Sequence, residues 1–231
     1  MKLACASSAF DELFRDGALT QIEWIESCAR EFEADGVVFD VRHFPRTDSD
    51  YLAQVKKMTA DVGLTVAAIE DDAFFPGDEE RMQQSLAIAL AVGAPLLTGR
   101  LDPETSATWS AALERLNTAT SLAKRANVTL AVRNAPQTFA GTALDLKRVS
   151  KEADSAWLRY GLDLATLDAG SEPEAFLPKT VLLWGSAGEY ESLRLLSAFR
   201  GFMALDAGAA EIASAVRTWR TALFQSVIDR T

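Results

Sequence analysis

The sequence predicts a single-domain α/β protein, a (β/α)8 TIM barrel. Short apolar segments alternate with longer amphipathic segments along all 231 residues, and eight of the apolar segments lack the alternation of a half-exposed strand. No glycine-rich G-x-G-x-x-G or G-x-x-x-x-G-K-[ST] loop follows any strand, which argues against the open doubly wound sheet. Eight strand–helix units in a chain near the usual barrel length of ~250 residues therefore favour a closed barrel over the open sheet.

The eight predicted strands are short and bounded by glycine or charged residues. Segments of this kind are typical of parallel strands that are buried on both faces. They are Leu3–Ser7, Gly36–Val41, Thr65–Ile69, Pro95–Thr98, Val128–Val132, Arg159–Asp163, Thr180–Trp184 and Phe202–Leu205.

The segments between the strands carry helix start and stop signals. Thr20 with Glu23 forms a capping-box pattern that opens a helix over Gln21–Glu33. Gly93 ends a helix over Asp78–Val92, and Asn127 ends a long helix that opens at Asp102-Pro103-Glu104. Further helices are predicted from Asp48 or Ser49 to just before Gly63, and over Ala143–Ala153, Glu172–Phe176, Glu189–Ala198 and Ala209–Ile228.

The charge balance narrows the choice of partners. The chain has 23 Lys and Arg against 33 Asp and Glu, a formal net charge of −10, and no basic run. Nucleic acid and anionic membranes are poor matches for such a surface, so a small molecule is the expected partner. Cys5 and Cys28 form no metal-binding pattern and are expected to be buried reduced thiols. Without a signal-like or membrane-spanning segment, the sequence predicts a soluble cytoplasmic protein.

Polar residues follow most of the predicted strands. In a barrel these positions meet at the carboxyl-terminal mouth, where active sites are built, so we expect a polar pocket there. The residues concerned are Ser7-Ser8, Asp40 to His43, Glu70 to Asp72, Gly99-Arg100, Arg133-Asn134, Asp163, Trp184 to Ser186, and Asp206.

Five segments resemble one known family in order and spacing. They are Gly36–Asp40, Gly63–Ala68, Val128–Asn134, Leu158–Asp163 and Phe199–Asp206. Together they are similar to the xylose isomerase-like TIM barrels, a group of sugar and sugar-phosphate isomerases and epimerases and related enzymes. The group also contains apurinic endonucleases, but a single histidine and a charge of −10 argue against that activity. Such barrels often self-associate, so a homo-oligomer is possible.

The resemblance implies a divalent metal, but this sequence lacks several of the family's metal ligands. Family members hold the metal through a Glu after strand 5, an Asp after strand 6, a His on strand 7 and a Glu on strand 8. This chain has Arg133 at the first position, keeps Asp163, has Trp184 near the third and Asp206 at the fourth. We therefore expect no cofactor, with Mn²⁺ or Mg²⁺ as the less favoured alternative. Arg133 is expected to bridge Asp163 or Asp206 in place of the metal.

Two functions remain open at this stage. The first is a metal-free isomerase or epimerase acting on a small sugar or polyol derivative, with Glu70 or His43 as the base. Arg133 and Arg100 would then stabilise an enediolate or an acidic substituent. The alternative is a non-catalytic barrel that binds an acidic sugar or a phosphate. The candidate catalytic residues are Glu70, His43 and Asp206, and the candidate substrate-binding residues are Arg133, Asn134, Arg100, Arg42, Asp163 and Trp184.

Four of these assignments have alternatives. Glu70 either faces the cavity as a base or points to solvent with Asp71 and Asp72. Arg42, Arg100 and Arg133 either form an anion site or pair with Asp40, Glu70 and Asp163 in a structural charge lattice. Trp184 either lines the pocket or packs inside the barrel. His43, the one histidine of the chain, is either an acid–base group at the mouth or a surface residue at the start of a loop.

Overall fold

A computed structural model of the chain describes residues 1–167, 171–186 and 199–228. Eight parallel strands form a closed barrel in which each strand pairs with the next and the last pairs with the first. The strands are β1 (Lys2–Ala6), β2 (Gly36–Asp40), β3 (Thr65–Glu70), β4 (Leu96–Arg100), β5 (Thr129–Arg133), β6 (Leu158–Asp163), β7 (Thr180–Gly185) and β8 (Phe202–Leu205). The predicted (β/α)8 barrel is therefore confirmed, and the strand bounds shift by no more than a few residues.

Helices cover the outside of the barrel. Within the described ranges they are α1 (Asp11–Arg15), α2 (Gln21–Arg30), α3 (Ser49–Asp61), α4 (Glu79–Val92), α5 (Trp109–Ala126), α6 (Ala143–Ala153) and α7 (Ile212–Ile228). No helix in this part of the chain is long and apolar enough to cross a membrane.

Local capping chemistry sets several of these helix ends as predicted. The Thr20–Glu23 capping box is formed at the start of α2. Gly93 and Asn127 take left-handed conformations after α4 and α5, with φ of 81° and 54°. These residues satisfy the last carbonyl groups of their helices, because the left-handed turn directs their N–H groups back along the chain.

Other predicted helix bounds were wrong, for local reasons. The long helix begins at Trp109 rather than near Asp102, because Thr108 caps it and Pro103 instead forms an isolated bridge with Thr138. Residues 172–179 form two short 3₁₀ turns, each with a proline in its first turn, since proline breaks a continuing helix.

The remaining differences concern α1, which has no counterpart among the predicted helices, and the ends of two other helices. α2 ends at Arg30 instead of Glu33, and α7 begins at Ile212 instead of Ala209. The helix predicted over residues 189–198 lies outside the described residues.

Two apolar layers hold the barrel together. The larger lies between the strands and the helices and includes the fully buried Trp24 and Trp219. The smaller fills the inside of the barrel and is made mainly of alanine with Val38, Leu182 and Trp184. Because so many interior residues are small, the barrel can hold two large side chains at its centre. These are Trp184 and Arg133, whose guanidinium lies over the Trp184 ring.

Candidate active site

Arg133, the last residue of β5, lies at the centre of a cluster of acidic side chains. Its Nε and Nη2 donate to Oδ2 of Asp163 at 3.0 and 2.7 Å, and Nη2 also donates to Oδ2 of Asp206 at 2.8 Å. Its Nη1 donates to Oε1 of Glu70 at 3.1 Å. The guanidinium thus contacts both expected aspartates and a third acid. We call Glu70, Arg133, Asp163 and Asp206 the Arg133 cluster.

Trp184 lies directly against this cluster from inside the barrel. The guanidinium carbon of Arg133 is 3.8 Å from the centre of the Trp184 ring, a cation–π contact that adds to the ion pairs. The indole is fully buried and belongs to the interior apolar layer. It has room because Gly161 faces it, where a Cβ atom would lie 3.5 Å from the indole Nε1. Trp184 therefore packs inside the barrel and does not form an exposed wall of a pocket.

Glu70 is the most perturbed acid of the cluster. It is 3% exposed, and within the described part of the chain its Oε2 has no hydrogen-bond partner. Burial raises the pKa of Glu70 from 4.5 to about 7. The positive charge of Arg133 and the nearby Ser8 hydroxyl oppose this shift, and the negative charges of Asp40 and Asp72 add to it. A carboxyl group with a pKa near neutrality and one free oxygen can accept and return a proton at physiological pH.

The cluster as a whole carries excess negative charge. Three carboxylates face one guanidinium, and protonation of Glu70 removes only part of the imbalance. Asp206 is the most accessible of the three acids, with 36% of its side chain exposed. The side chains of Asp163 and Glu70 are almost completely buried. Such a site is electrostatically unsuited to a phosphate or a carboxylate ligand.

The same geometry does not fit a divalent metal. The guanidinium of Arg133 is within hydrogen-bond distance of all three acids that remain to coordinate an ion. Two like unit charges about 4 Å apart repel by about 4 kcal/mol at an effective dielectric of 20, and a dication doubles this. Over residues 1–167, 171–186 and 199–228, no group of three or more His, Cys, Asp or Glu side chains is arranged to hold a metal.

Asn134 ties β5 to β6 beside the cluster. Its Nδ2 donates to the carbonyl of Asp163 at 2.9 Å and to Oγ1 of Thr166 at 2.8 Å, and its Oδ1 accepts from the Asp163 amide at 2.7 Å. These bonds occupy both amide hydrogens, so the structure gives Asn134 a role in positioning Asp163. Thr166, three residues after Asp163, is part of this hydrogen-bond network.

The structure places His43 away from the Arg133 cluster. Its Nδ1 lies 2.9 Å from Oγ of Ser7 and its Nε2 lies 3.1 Å from Oδ1 of Asp11, while the ring stacks on Phe14 at 4.4 Å. All three partner residues lie in α1 or in the 3₁₀ turn before it. The cause is a 3₁₀ turn over Val41–His43, in which the Asp40 side chain accepts from the Arg42 amide.

Arg42 and Arg100 have acidic partners of their own. Arg42 donates to both carboxylate oxygens of Asp40 and lies 3.3 Å from Asp11. Arg100 pairs with Asp72, its Nε being 3.4 Å from that carboxylate. Arg42 and Arg133 thus pair with Asp40, Glu70 and Asp163, as in the charge-lattice alternative, whereas Arg100 pairs with Asp72 instead.

The sequence analysis did not identify Thr98 as a site residue. It lies opposite Glu70 in the β3–β4 register and is fully buried, and its Oγ1 has no partner among the described residues. This hydroxyl would be 3.0 Å from a Cβ atom on Gly161, so it faces the same gap as Trp184. The only available signal was its polarity within the apolar strand.

The fold and the mouth of the barrel place the chain in a known class. It belongs to the xylose isomerase-like TIM barrel family, whose model matches residues 27–180. No curated protein matches the sequence.

Solved structures of similar fold are distant in sequence. A probable 3-DHS dehydratase, AsbF, involved in petrobactin synthesis from Bacillus anthracis, is 13% identical with a TM-score of 0.77, covering 95% of this chain and 99% of that one. An L-ribulose 3-epimerase is 16% identical with a TM-score of 0.74, covering 99% and 96%. The IOLI protein, solved with a zinc atom, is 13% identical with a TM-score of 0.73, covering 98% of each chain. At these identities the likeness establishes the fold alone.

Proposed function

We propose that this barrel catalyses a metal-free isomerisation or epimerisation of a small, neutral sugar or polyol derivative, with Glu70 as the acid–base group. The observation that carries the proposal is the state of Glu70. One oxygen is held by Arg133 at 3.1 Å, the other has no partner in the described chain, and the pKa is raised to about 7. This combination suits reversible proton transfer near neutral pH.

The proposed step is an enediol proton shift. Glu70 removes the proton from the carbon next to a carbonyl group, and the C–H electron pair moves into the new C=C bond as the carbonyl oxygen becomes an enolate. The fixed charge of Arg133 stabilises that oxygen. The protonated Glu70 then returns the proton to the former carbonyl carbon. At the same time the hydroxyl proton on the first carbon passes to the enolate oxygen, and that first carbon becomes the new carbonyl carbon, which completes an isomerisation. An epimerisation needs a second acid, for which the more exposed Asp206 is the candidate.

A neutral substrate is proposed because of the charge balance at the mouth. The excess of carboxylates in the Arg133 cluster opposes a phosphate or an acidic sugar. Hydroxyl groups, in contrast, can donate to the free oxygen of Glu70 and to Asp206. The named activities of the epimerase neighbours concern carbohydrates and are compatible with this choice.

Solvent exchange tests the proposal more generally than a product assay. A panel of neutral aldoses, ketoses and keto-polyols is incubated with the protein in D₂O and EDTA, and deuterium uptake at the carbon next to the carbonyl is followed by NMR. We expect uptake with at least one compound, and a loss of about 10²-fold or more in Glu70→Gln. The exposed Glu104→Gln is the matched control and should retain the rate. Equal rates in Glu70→Gln and in the parent would refute the role of Glu70.

A non-catalytic binding barrel is the second candidate, and one observation favours it. Arg133 makes four hydrogen bonds to acids, and Glu70 and Asp163 are 3% and 6% exposed, so the cluster resembles a structural ion network. This reading predicts that a neutral polyol raises the melting temperature while no compound in the panel exchanges deuterium.

A further inference from the structure

The interior of the barrel contains a small polar gap beneath the Arg133 cluster. Gly161 lies two residues before Asp163 on β6, and residues two apart on a strand point to the same face of the sheet. Gly161 therefore faces the barrel interior below Asp163, where it has no side chain to fill the space. The three atoms nearest to a Cβ at this position are Oγ1 of Thr98 at 3.0 Å, Nε1 of Trp184 at 3.5 Å and Cβ of Ala131 at 3.6 Å.

Two of these three atoms are polar and lack a hydrogen-bond partner. The side chains of Thr98 and Trp184 are fully buried, and neither Thr98 Oγ1 nor Trp184 Nε1 has a partner among the residues that the structure describes. Their distances to one point beside Gly161 show that both atoms face the same gap. Buried polar groups are nearly always satisfied, by protein atoms or by ordered water, so this pair indicates a bonding group between them.

The size and chemistry of the gap select the kind of group. A carbon atom at the Cβ position would be crowded, because 3.0 Å from Thr98 Oγ1 is shorter than an ordinary van der Waals contact. A water oxygen accepts distances of about 2.7–3.2 Å to polar atoms and needs only two to four polar partners. The indole N–H can only donate, whereas the threonine hydroxyl can donate or accept, so one water molecule satisfies both.

We propose that this gap holds one buried water molecule, which accepts a hydrogen bond from the Trp184 indole and bonds to the Thr98 hydroxyl. Thr98 is thereby a positioning residue for the Arg133 cluster. The water fixes the indole ring, and the guanidinium of Arg133 lies 3.8 Å from the centre of that ring. The same guanidinium contacts Glu70 at 3.1 Å and Asp163 at 2.7 Å, so the orientation of Trp184 is transmitted to both acids.

High-resolution crystal structures of the parent and of three variants test for the water. We expect one water oxygen within about 3.2 Å of both Thr98 Oγ1 and Trp184 Nε1 in the parent. Thr98→Ser keeps the hydroxyl and should keep this water. Thr98→Val keeps the shape of the side chain without its hydroxyl and should lose it. Gly161→Ala places a methyl group in the gap and should also lose it.

The Nε–H resonance of Arg133, assigned by triple-resonance NMR, tests the positioning role. A proton held over the face of an indole ring is shifted upfield by the ring current. Thr98→Val should therefore move this resonance downfield, toward the position of an unstacked arginine, and Thr98→Ser should leave it near its parent position. A role of Thr98 in filling space alone predicts the reverse order, because valine keeps the volume of threonine and serine loses a methyl group.

Three results would overturn the proposal. The first is a parent crystal structure with no ordered water between Thr98 and Trp184, or with a direct bond between them. The second is a water that stays in place in Thr98→Val. The third is an Arg133 resonance that moves in Thr98→Ser but not in Thr98→Val, or in neither variant. None of these measurements depends on turnover or on Glu70 as a base, so the proposed function can fail while this inference holds, and the reverse.

Discussion

Replacing Glu70 by glutamine should change how the stability of the protein depends on pH. Burial raises the pKa of Glu70 in the folded protein to about 7, against 4.5 for the unfolded chain. The folded state therefore binds this proton more tightly, so the associated stability is complete below pH 4.5 and is lost as the pH rises through 7. For these two pKa values, linkage gives a loss of about 2–3 kcal/mol between pH 5 and pH 8. Glu70→Gln keeps the shape of the side chain and removes this loss.

The assay is urea unfolding of the parent and of Glu70→Gln at pH 5, 6, 7 and 8. Only the difference between the two proteins is interpreted, because the other acids titrate in both. We expect this difference to move in favour of Glu70→Gln by about 2–3 kcal/mol from pH 5 to pH 8, with most of the change below pH 7. Glu104→Gln should show a difference that does not depend on pH. A constant difference for Glu70→Gln would mean that the folded pKa is ordinary and that the reasoning about its burial is wrong.

Three further substitutions test the packing of the mouth, each by urea unfolding. Arg133→Met should cost about 3–5 kcal/mol at pH 8 and less at pH 5, because Glu70, charged at pH 8 and protonated at pH 5, loses its buried cation; equal costs would contradict this. Asn134→Ala should cost about 2–4 kcal/mol, since the Asp163 amide loses its acceptor; an unchanged free energy of unfolding would exclude the role of Asn134 in positioning Asp163. Gly99→Ala places a Cβ 2.3 Å from the Asp71 carbonyl oxygen and should cost about 2 kcal/mol or more, whereas Gly208→Ala meets no atom within 4 Å and should cost little.

Local sequence signals were sufficient to predict most strands and helices of the barrel. Capping residues and apolar segments act over a few positions, so Thr20, Gly93 and Asn127 mark helix ends correctly. The start of α5 was predicted wrongly because an acidic residue before Pro103 resembles a helix start. The bridge from Pro103 to Thr138, which directs the chain elsewhere, involves a residue 35 positions away and has no local signature.

The composition of the site was also partly predictable. Strand ends converge in any barrel, so a cluster of Glu70, Arg133, Asp163 and Asp206 follows from their positions at the carboxyl ends of β3, β5, β6 and β8. Which acids share the guanidinium depends on strand register and barrel closure. The pKa of Glu70 depends on how deeply the finished barrel buries it, and the sequence carries no direct measure of that burial.

His43 shows why a correct strand end does not guarantee a site residue. The prediction placed it after β2, which is right, but assumed that its side chain faces the mouth. The side chain of Asp40 caps a single 3₁₀ turn and sends the ring toward Asp11 and Phe14 instead. A turn of three residues decides the direction of a side chain, and its conformation depends on contacts made only in the folded protein.

We propose that the guanidinium of Arg133 occupies the place where the resemblance to this family implies a metal. Elemental analysis of the purified protein, paired with melting curves in Mn²⁺, Mg²⁺, Co²⁺ and EDTA, tests it most directly. We expect far less than one equivalent of metal and no change in melting temperature with any ion. A metal bound only to the folded state at ~100 times its Kd would add about 2.7 kcal/mol. One equivalent of bound metal, with a stabilisation that disappears in Asp163→Asn, would contradict the proposal that Arg133 takes the place of the metal.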